Sequence, residues 1–311
     1  MRAIGVTEYG GPEALHQVEV EAEPLGAGQV RVRVTAAAVN PTDTGVRSGL
    51  RDDKPRADTV AIPGMDVAGT VLELGDGVDR LEVGQRVMAV VVPHGEHGAY
   101  RDEIVLPIGS VVAAPDGSSD AEVASVPMNA LTAALAFELL DLPAGATLAV
   151  TGAAGALGGY ALQLAKEAGL VVIADASDAD RELVTGLGAD TVLPRGEGFA
   201  DAVRALHPEG VDALVDGSVQ GAEVTSAVRD GGGFATVRGW DGGDDVRLSY
   251  HPVWVRTVAE RDDLLTRIVD LVERGKLTPR VAEVLPATDA AEAHRRLEAG
   301  GVRGRLVLDF S

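Results

Sequence analysis

Residues 150–169 read VTGAAGALGGYALQLAKEAG, and they are the part of this sequence best equipped for chemistry. A strand-like run, TLAVT, leads into glycines at 152, 155 and 158, and a helix-like pattern follows. Gly152 lets the chain turn sharply. Gly155 leaves room for a pyrophosphate beside the backbone, and Gly158 lets the helix pack close to a sheet. The N–H groups and the positive dipole end of that helix then face the phosphates. Thr151, Gly152, Ala153, Ala154, Gly155, Ala156, Leu157 and Gly158 together form a candidate dinucleotide cradle. The competing reading is a purely structural Gly/Ala turn. Asp175 argues against it: this acid ends the next strand-like run, LVVIADA, about 20 residues on, where a carboxylate binds the adenosine ribose hydroxyls.

Such a cradle needs a parallel sheet to hold it. Residues 1–115 read as β-rich, with Val30, Val32 and Val34 alternating with polar residues as in a half-buried strand. PDGSSD at 115–120 breaks this rhythm, and a helix is expected from about Asp120. From 121 onward strands and helices alternate: TLAVT, the helix after the glycines, LVVIADA, ADRELVTGLGA, DTVLP, FADAVRALH and VDALVDGS. GAEVTSAVRDGGG reads as a helix with a glycine stop, and FATVRGW as the fifth strand. This alternation implies a doubly wound parallel sheet. Gly217 and Ser218 follow its fourth strand, while Val237, Arg238 and Gly239 end its fifth, so all five are expected beside the cofactor. An amphipathic helix, DDLLTRIVDLVERG, and a closing strand, GRLVLDF, come after 250.

Composition narrows the function further. The 311 residues carry a net charge of −21, which disfavours nucleic acid and anionic membrane surfaces as partners. The absence of cysteine excludes disulfides, thiolate zinc sites, iron–sulfur clusters and a cysteine nucleophile. No signal-peptide-like stretch opens the sequence and no run of ~18 apolar residues occurs, so a soluble, cytoplasmic protein is expected. HGEH at 94–97 has metal-ligating residue types, but a solvated loop is the reading adopted, with no metal site. A short-chain dehydrogenase would also start its fingerprint with Thr-Gly. That class needs Tyr-x-x-x-Lys, and Tyr9, Tyr100, Tyr160 and Tyr250 have no lysine four residues on.

The segments MRAIGVTEYGGPEAL, NPTDTGVRSG, IPGMDVAGTV, HGAYRDEIVLP, SVPMNALTAALAFE, the glycine stretch, LGAD and GVRGRLVLDF follow one another in order. In order and spacing this series resembles the zinc-free quinone oxidoreductases of the medium-chain dehydrogenase/reductase superfamily, the zeta-crystallin type. The resemblance runs nearly end to end. It implies a GroES-like β-rich catalytic domain over 1–120, completed by 251–311, and a Rossmann domain over 121–250. It also implies a cleft between the two as the site, and a homodimer joined through an edge strand of the Rossmann sheet.

Zinc-dependent relatives carry a cysteine near position 40 and Gly-His-Glu where this chain has Gly64-Met65-Asp66; here Asn40 and Met65 stand in their places. The resemblance places Asn40 and Asp43 beside nicotinamide and substrate, where the Asn40 amide could bond an acceptor carbonyl and steady its growing charge. It brings Thr132 to the nicotinamide end. Gly45 and the stretch near Leu50 lack the tyrosine that commonly walls the substrate pocket in this family. Arg305 matches a basic position that reads as a surface charge. NADPH is the cofactor implied, with Ser177, Arg181 and Arg195 available to its extra phosphate, whereas Asp175 favours NADH. The expected reaction is hydride transfer to a quinone or other conjugated carbonyl, with solvent or a bound water as proton source. Two alternatives remain: an enoyl-thioester or alkenal reductase, and a non-catalytic NADPH-binding protein.

Overall fold

The computed structural model describes residues 1–50 and 60–311. The chain divides into two compact units. The first holds Met1–Met128, Ala259–Glu273 and Pro279–Ser311; the second holds Asn129–Val258 and Arg274–Thr278.

In the first unit, β1 (Arg2–Gly5) and β2 (His16–Glu19) form an antiparallel pair. The long β3 (Gln29–Ala38) buries Val30, Val32 and Val34 on one face, and at Ala36–Ala38 both faces are covered. The switch from alternation to a continuous small-residue run marks where the strand passes from sheet surface into the centre of the fold. Asn40 then caps α1 (Pro41–Ser48). Pro41 suits the first helical position because its missing N–H needs no partner there. The strands β4 (Asp66–Leu74), β5 (Arg86–Val90), β6 (Glu103–Pro107) and β7 (Val111–Ala113) follow, then α2 (Asp120–Ser125) under a Ser119/Glu122 capping box.

The α3 helix (Pro127–Leu140) leads into the second unit. With α2 it makes a stretch over Asp120–Leu140 long and apolar enough by length and composition to cross a membrane, and most of that stretch is buried inside the protein. Then come β8 (Thr147–Thr151), α4 (Ala156–Glu167), β9 (Val171–Ala176), α5 (Arg181–Gly186), β10 (Thr191–Pro194), α6 (Phe199–Leu206), β11 (Val211–Asp216), β12 (Val228–Thr236) and β13 (Ser249–Pro252). They form a six-stranded parallel sheet in the order β10-β9-β8-β11-β12-β13. The strand order reverses at β8, so the loop leaving its carboxyl end lies at the topological switch point.

Two expectations change here. The segment read as a helix with a glycine stop is a short 3-10 turn, Gly221–Ala227, and Val228 already begins β12. Three glycines, at 231–233, weaken helix formation, while the parallel ladder with β11 holds the stretch extended. The sixth strand, β13, was not anticipated; its four residues are too few to show a period.

The chain returns to the first unit through α7 (Asp262–Glu273), β14 (Val281–Pro286), α8 (Ala290–Ala299) and β15 (Arg305–Asp309). β15 pairs antiparallel with β3, which brings the last residues of the chain beside Ala36–Ala38.

Candidate functional site

The glycine loop is shaped by what its residues lack. Gly152 has φ +66°, and a Cβ there would lie 3.0 Å from the Gly217 carbonyl carbon and from Ser218 N. The loops after β8 and β11 therefore touch backbone to backbone. A Cβ on Gly158 would lie 2.3 Å from Gly152 O, so only glycine lets α4 start this close to the turn. Gly155 caps α4 without a side-chain cap bond, and a Cβ there would meet nothing nearer than Gly152 O at 3.1 Å. The first turn of α4 carries no acidic residue. A positively polarised helix start with no acidic residue in its first turn suits a pyrophosphate, so the residues fit the dinucleotide cradle.

Asp175 sits at the end of β9 but turns inward. It is buried, and its carboxylate accepts the Ala153 N–H at 3.0 Å. Burial pushes its pKa up, while the Ala153 and Gly152 N–H groups and the Arg195 charge pull the other way. The Ser177 hydroxyl donates to Asp180 Oδ2 at 2.6 Å, and the Arg181 guanidinium donates to Val192 O at 2.9 Å. Two of the three groups expected at an extra phosphate, Ser177 and Arg181, thus have partners inside the fold.

Asp216, at the end of β11, is a residue that spacing arguments missed. Its carboxylate accepts the Thr151 hydroxyl at 2.7 Å, Gln220 N at 3.1 Å and Gly221 N at 2.7 Å. Thr151 Oγ1 in turn accepts Ser218 N at 3.3 Å. One buried acid thereby ties the β8 loop to the β11 loop; an Asp closing the strand-like run VDALVD was the available signal. Beside it a pocket of about 310 Å³ is lined by Asp216, Val219, Ala222, Val237, Arg238 and Trp240. Val219 is held at φ +59°, a conformation rare for a β-branched residue. Gly239, at φ +79°, leaves room for the Trp254 ring, which a Cβ would approach to 2.5 Å. The structure so brings Gly217, Ser218, Val237, Arg238 and Gly239 to the carboxyl end of the sheet. Thr132 lies buried on α3.

The first unit holds a second, very different cluster. Asn40, Asp43, Asp66 and Tyr100 are fully buried and Arg305 is 3% exposed. Asn40 Nδ2 donates to Asp66 Oδ2 at 2.8 Å, and Asn40 Oδ1 accepts from Arg305 Nη2 at 2.7 Å. The same Arg305 nitrogen pairs with Asp66 Oδ2 at 2.9 Å, and Asp66 Oδ1 accepts Met128 N at 2.6 Å. Arg305 is therefore a buried cation and not the surface charge its place near the chain end suggested. Its Nη1 is buried with no hydrogen-bond partner among the described residues. Asn40 presents its amide to Asp66 and Arg305, so the acceptor carbonyl expected on it finds both ends of that amide engaged. Asp43 is a brace: Oδ1 accepts Gly64 N at 2.9 Å, and Oδ2 accepts Asn40 N at 2.8 Å and the Tyr100 hydroxyl at 3.2 Å. Burial pushes its pKa up to about 7.

Near the stretch that lacks the expected tyrosine, the Tyr9 ring lies against Gly49, where a Cβ would come within 2.6 Å. HGEH forms a tight loop, with His94 and His97 exchanging backbone hydrogen bonds at 2.8 and 2.9 Å and His97 Nδ1 lying 3.0 Å from Glu23. Among the described residues no group of three or more His, Asp or Glu is arranged to hold a metal.

Two family models match the chain: an alcohol dehydrogenase GroES-like domain over residues 26–132 and a zinc-binding dehydrogenase domain over 187–308. A chloroplastic quinone-oxidoreductase homolog from Spinacia oleracea is 37% identical over 201 residues, which is 62% of this chain and 60% of that protein. An alcohol dehydrogenase from Geobacillus stearothermophilus is 30% identical over 99% of this chain and 98% of its own length. A mycobacterial protein solved in complex with NADPH superposes with a TM-score of 0.86 at 28% identity, covering 99% of this chain and all of the other.

Proposed function

The chain belongs to the quinone-oxidoreductase-like branch of the medium-chain dehydrogenase/reductase family, and from that premise we propose that it is an NAD(P)H-dependent oxidoreductase acting on a quinone or another conjugated carbonyl. The observation that carries this reading is the glycine loop at the switch point, with Gly158 packed where a Cβ would sit 2.3 Å from Gly152 O. When bound, a reduced nicotinamide supplies the hydride. The chain's own work is to hold and orient. The α4 N-terminus and the loop from Thr151 to Gly158 take the phosphates, and Asp216 keeps the neighbouring loops in register for them. The apolar pocket beside Trp240 offers a flat ring a surface to stack on.

NADPH is the proposed cofactor. The Asp175 carboxylate is spent on the Gly152 and Ala153 N–H groups, and the Arg195 charge acts on the same spot, so less negative charge meets a 2′-phosphate than the sequence position implies. The chemistry is proposed to be zinc-independent. No cysteine is present, and Asn40 and Asp66 both bind the Arg305 guanidinium, which fills with a fixed cation the neighbourhood where zinc-dependent relatives carry their ligands. A homodimer is proposed through β13, which lies at the end of the strand order with Val246 and Trp254 exposed nearby.

The test is a fluorescence titration with NADPH and with NADH, using the two tryptophans as reporters, followed by turnover on a quinone and on an open-chain enone. Tighter NADPH binding with quinone turnover supports the proposal. Activity on the enone alone reassigns the chain as an alkenal or enoyl reductase. Tight binding without turnover on either makes it a nucleotide-binding protein only, and no binding removes the reading altogether.

A further inference from the structure

Behind Asp43 runs a line of side chains that the hydride-transfer reading does not use. Arg47, on the last turn of α1, is 4% exposed. Its Nη2 donates to Glu298 Oε1 at 2.6 Å and its Nε to Gly10 O at 3.1 Å. Its Nη1 lies 3.5 Å from His294 Nδ1, and His294 Nε2 lies 3.2 Å from the Tyr100 hydroxyl. That hydroxyl reaches Asp43 Oδ2 at 3.2 Å.

The donor inventory fixes the direction of this line. An arginine only donates, so His294 Nδ1 must accept. Burial first, and then the Arg47 charge, push His294 down to about 3, so the imidazole is neutral and its single proton sits on Nε2. Nε2–H then donates to Tyr100 Oη, and the one tyrosine proton is left for Asp43. The reverse direction is disfavoured: an Asp43 proton aimed at Tyr100 would make Tyr100 donate to Nε2 and move the imidazole proton to Nδ1, against the guanidinium. The other groups facing Asp43 are the Asn40 and Gly64 N–H donors, the Asp66 carboxylate on β4 and the Arg305 guanidinium on β15. Neither N–H can turn round, and both need an acceptor.

We propose that Arg47, His294 and Tyr100 are positioning residues, a one-way hydrogen-bond chain that favours the ionised form of Asp43 and so holds the start of α1 clamped to the Gly64 turn wherever Asp43 is ionised. Asn40 lies at that clamp, one hydrogen bond from Asp43 and one from Arg305. A substitution at Arg47 or at His294 on α8 thus reaches Asn40 without touching it.

The experiment is NMR on the whole protein, labelled with ¹⁵N at histidine and ¹³C at tyrosine Cζ; six histidines and four tyrosines keep the spectra readable. It requires neither nucleotide nor acceptor, so its outcome is independent of the proposed reaction. In the wild type the His294 signals should be those of a neutral ring protonated on Nε2 across neutral pH. The Tyr100 signal should titrate with Asp43. Arg47→Met unlocks the chain and should raise that midpoint by ~1 pH unit, while Arg47→Lys, which keeps a cationic donor, should restore most of the shift. A wild-type His294 protonated on Nδ1 overturns the proposal even if no variant folds. A folded Arg47→Met with an unmoved midpoint overturns it equally.

Discussion

The glycine loop and the Asp43–Asp66–Arg305 cluster solve opposite problems. The loop is one continuous stretch of eight residues whose working parts are backbone N–H groups and missing side chains. The cluster is made of side chains that lie 26, 57, 239 and 265 positions apart in the sequence, and nearly every polar atom in it faces another. One region keeps space open for a ligand; the other is closed on itself. A substitution should therefore act on binding in the first and on stability in the second.

The sharpest way to break that contrast is Arg305→Met. Asp66 would keep its buried charge with only Asn40 Nδ2 and Met128 N as donors. Removing one partner of a buried ion pair costs ~3–5 kcal/mol, because the other charge is left uncompensated. Urea unfolding should show a loss of that size; a loss within ~1 kcal/mol would mean that the cluster is not a closed unit. Gly158→Ala is the matching test on the loop. Its methyl would sit 2.3 Å from Gly152 O, and backbone cannot give way cheaply there. NADPH affinity should fall ~100-fold in a fluorescence titration, or ~2.7 kcal/mol.

The third prediction concerns pH. Burial raises the Asp43 pKa from an ordinary 3.8 to about 7 in the folded protein. Between those values the folded state holds a proton that the unfolded chain has released. Stability from this group is therefore full below about 4, declines as pH rises, and is lost by about 7. Asp43→Asn removes the titration. The stability difference between wild type and variant should shrink as pH climbs through that window and stay level above it. A difference that widens with pH would show that hydrogen bonds, and not burial, dominate at Asp43.

The contrast also explains what could be read in advance. Strand, glycines and helix lie within about 20 residues, so local spacing carries the cradle reading, and the strand order reverses at β8, where the glycine loop leaves the sheet. Arg305 could not be read that way. A basic residue near a chain end looks like a surface charge until β15 pairs with β3 and sets it over Asn40. His294 and Tyr100 meet for the same reason, 194 positions apart. Asn40 and Asp43 were singled out by resemblance, but burial and partners had to come from the fold, which sets Asn40 against Asp66 and Arg305 and braces Asp43 on Gly64 and Tyr100. The segment after β11 misled for a different reason: its helix-forming run is short, and the pairing of β12 overrides local propensity.

Smaller effects sharpen the picture on the loop side. Asp175→Ser removes the acceptor for Ala153 N and whatever preference the carboxylate gives to a free ribose hydroxyl. NADH affinity should fall ~10-fold, with NADPH changing less. Equal losses for both nucleotides would mean that Asp175 acts only as a brace for Gly152 and Ala153.

Gly155→Ala is the mildest change and the most discriminating. Gly155 has φ −72° and ψ 175°, which alanine adopts freely, and the added Cβ meets only Gly152 O at 3.1 Å. As a helix cap alanine is worse than glycine, so a stability loss of up to ~1 kcal/mol is expected. The methyl would nevertheless stand where a pyrophosphate has to pass. Affinity for NADPH should drop about tenfold, more than the stability change accounts for. At Gly158 the same methyl strains the protein itself, so a binding defect there could follow from distortion of the loop. At Gly155 the added Cβ meets, among the described residues, nothing nearer than Gly152 O at 3.1 Å, so a loss there points to a competing ligand. Unchanged affinity in Gly155→Ala would place the phosphates elsewhere and leave these glycines the work of a turn.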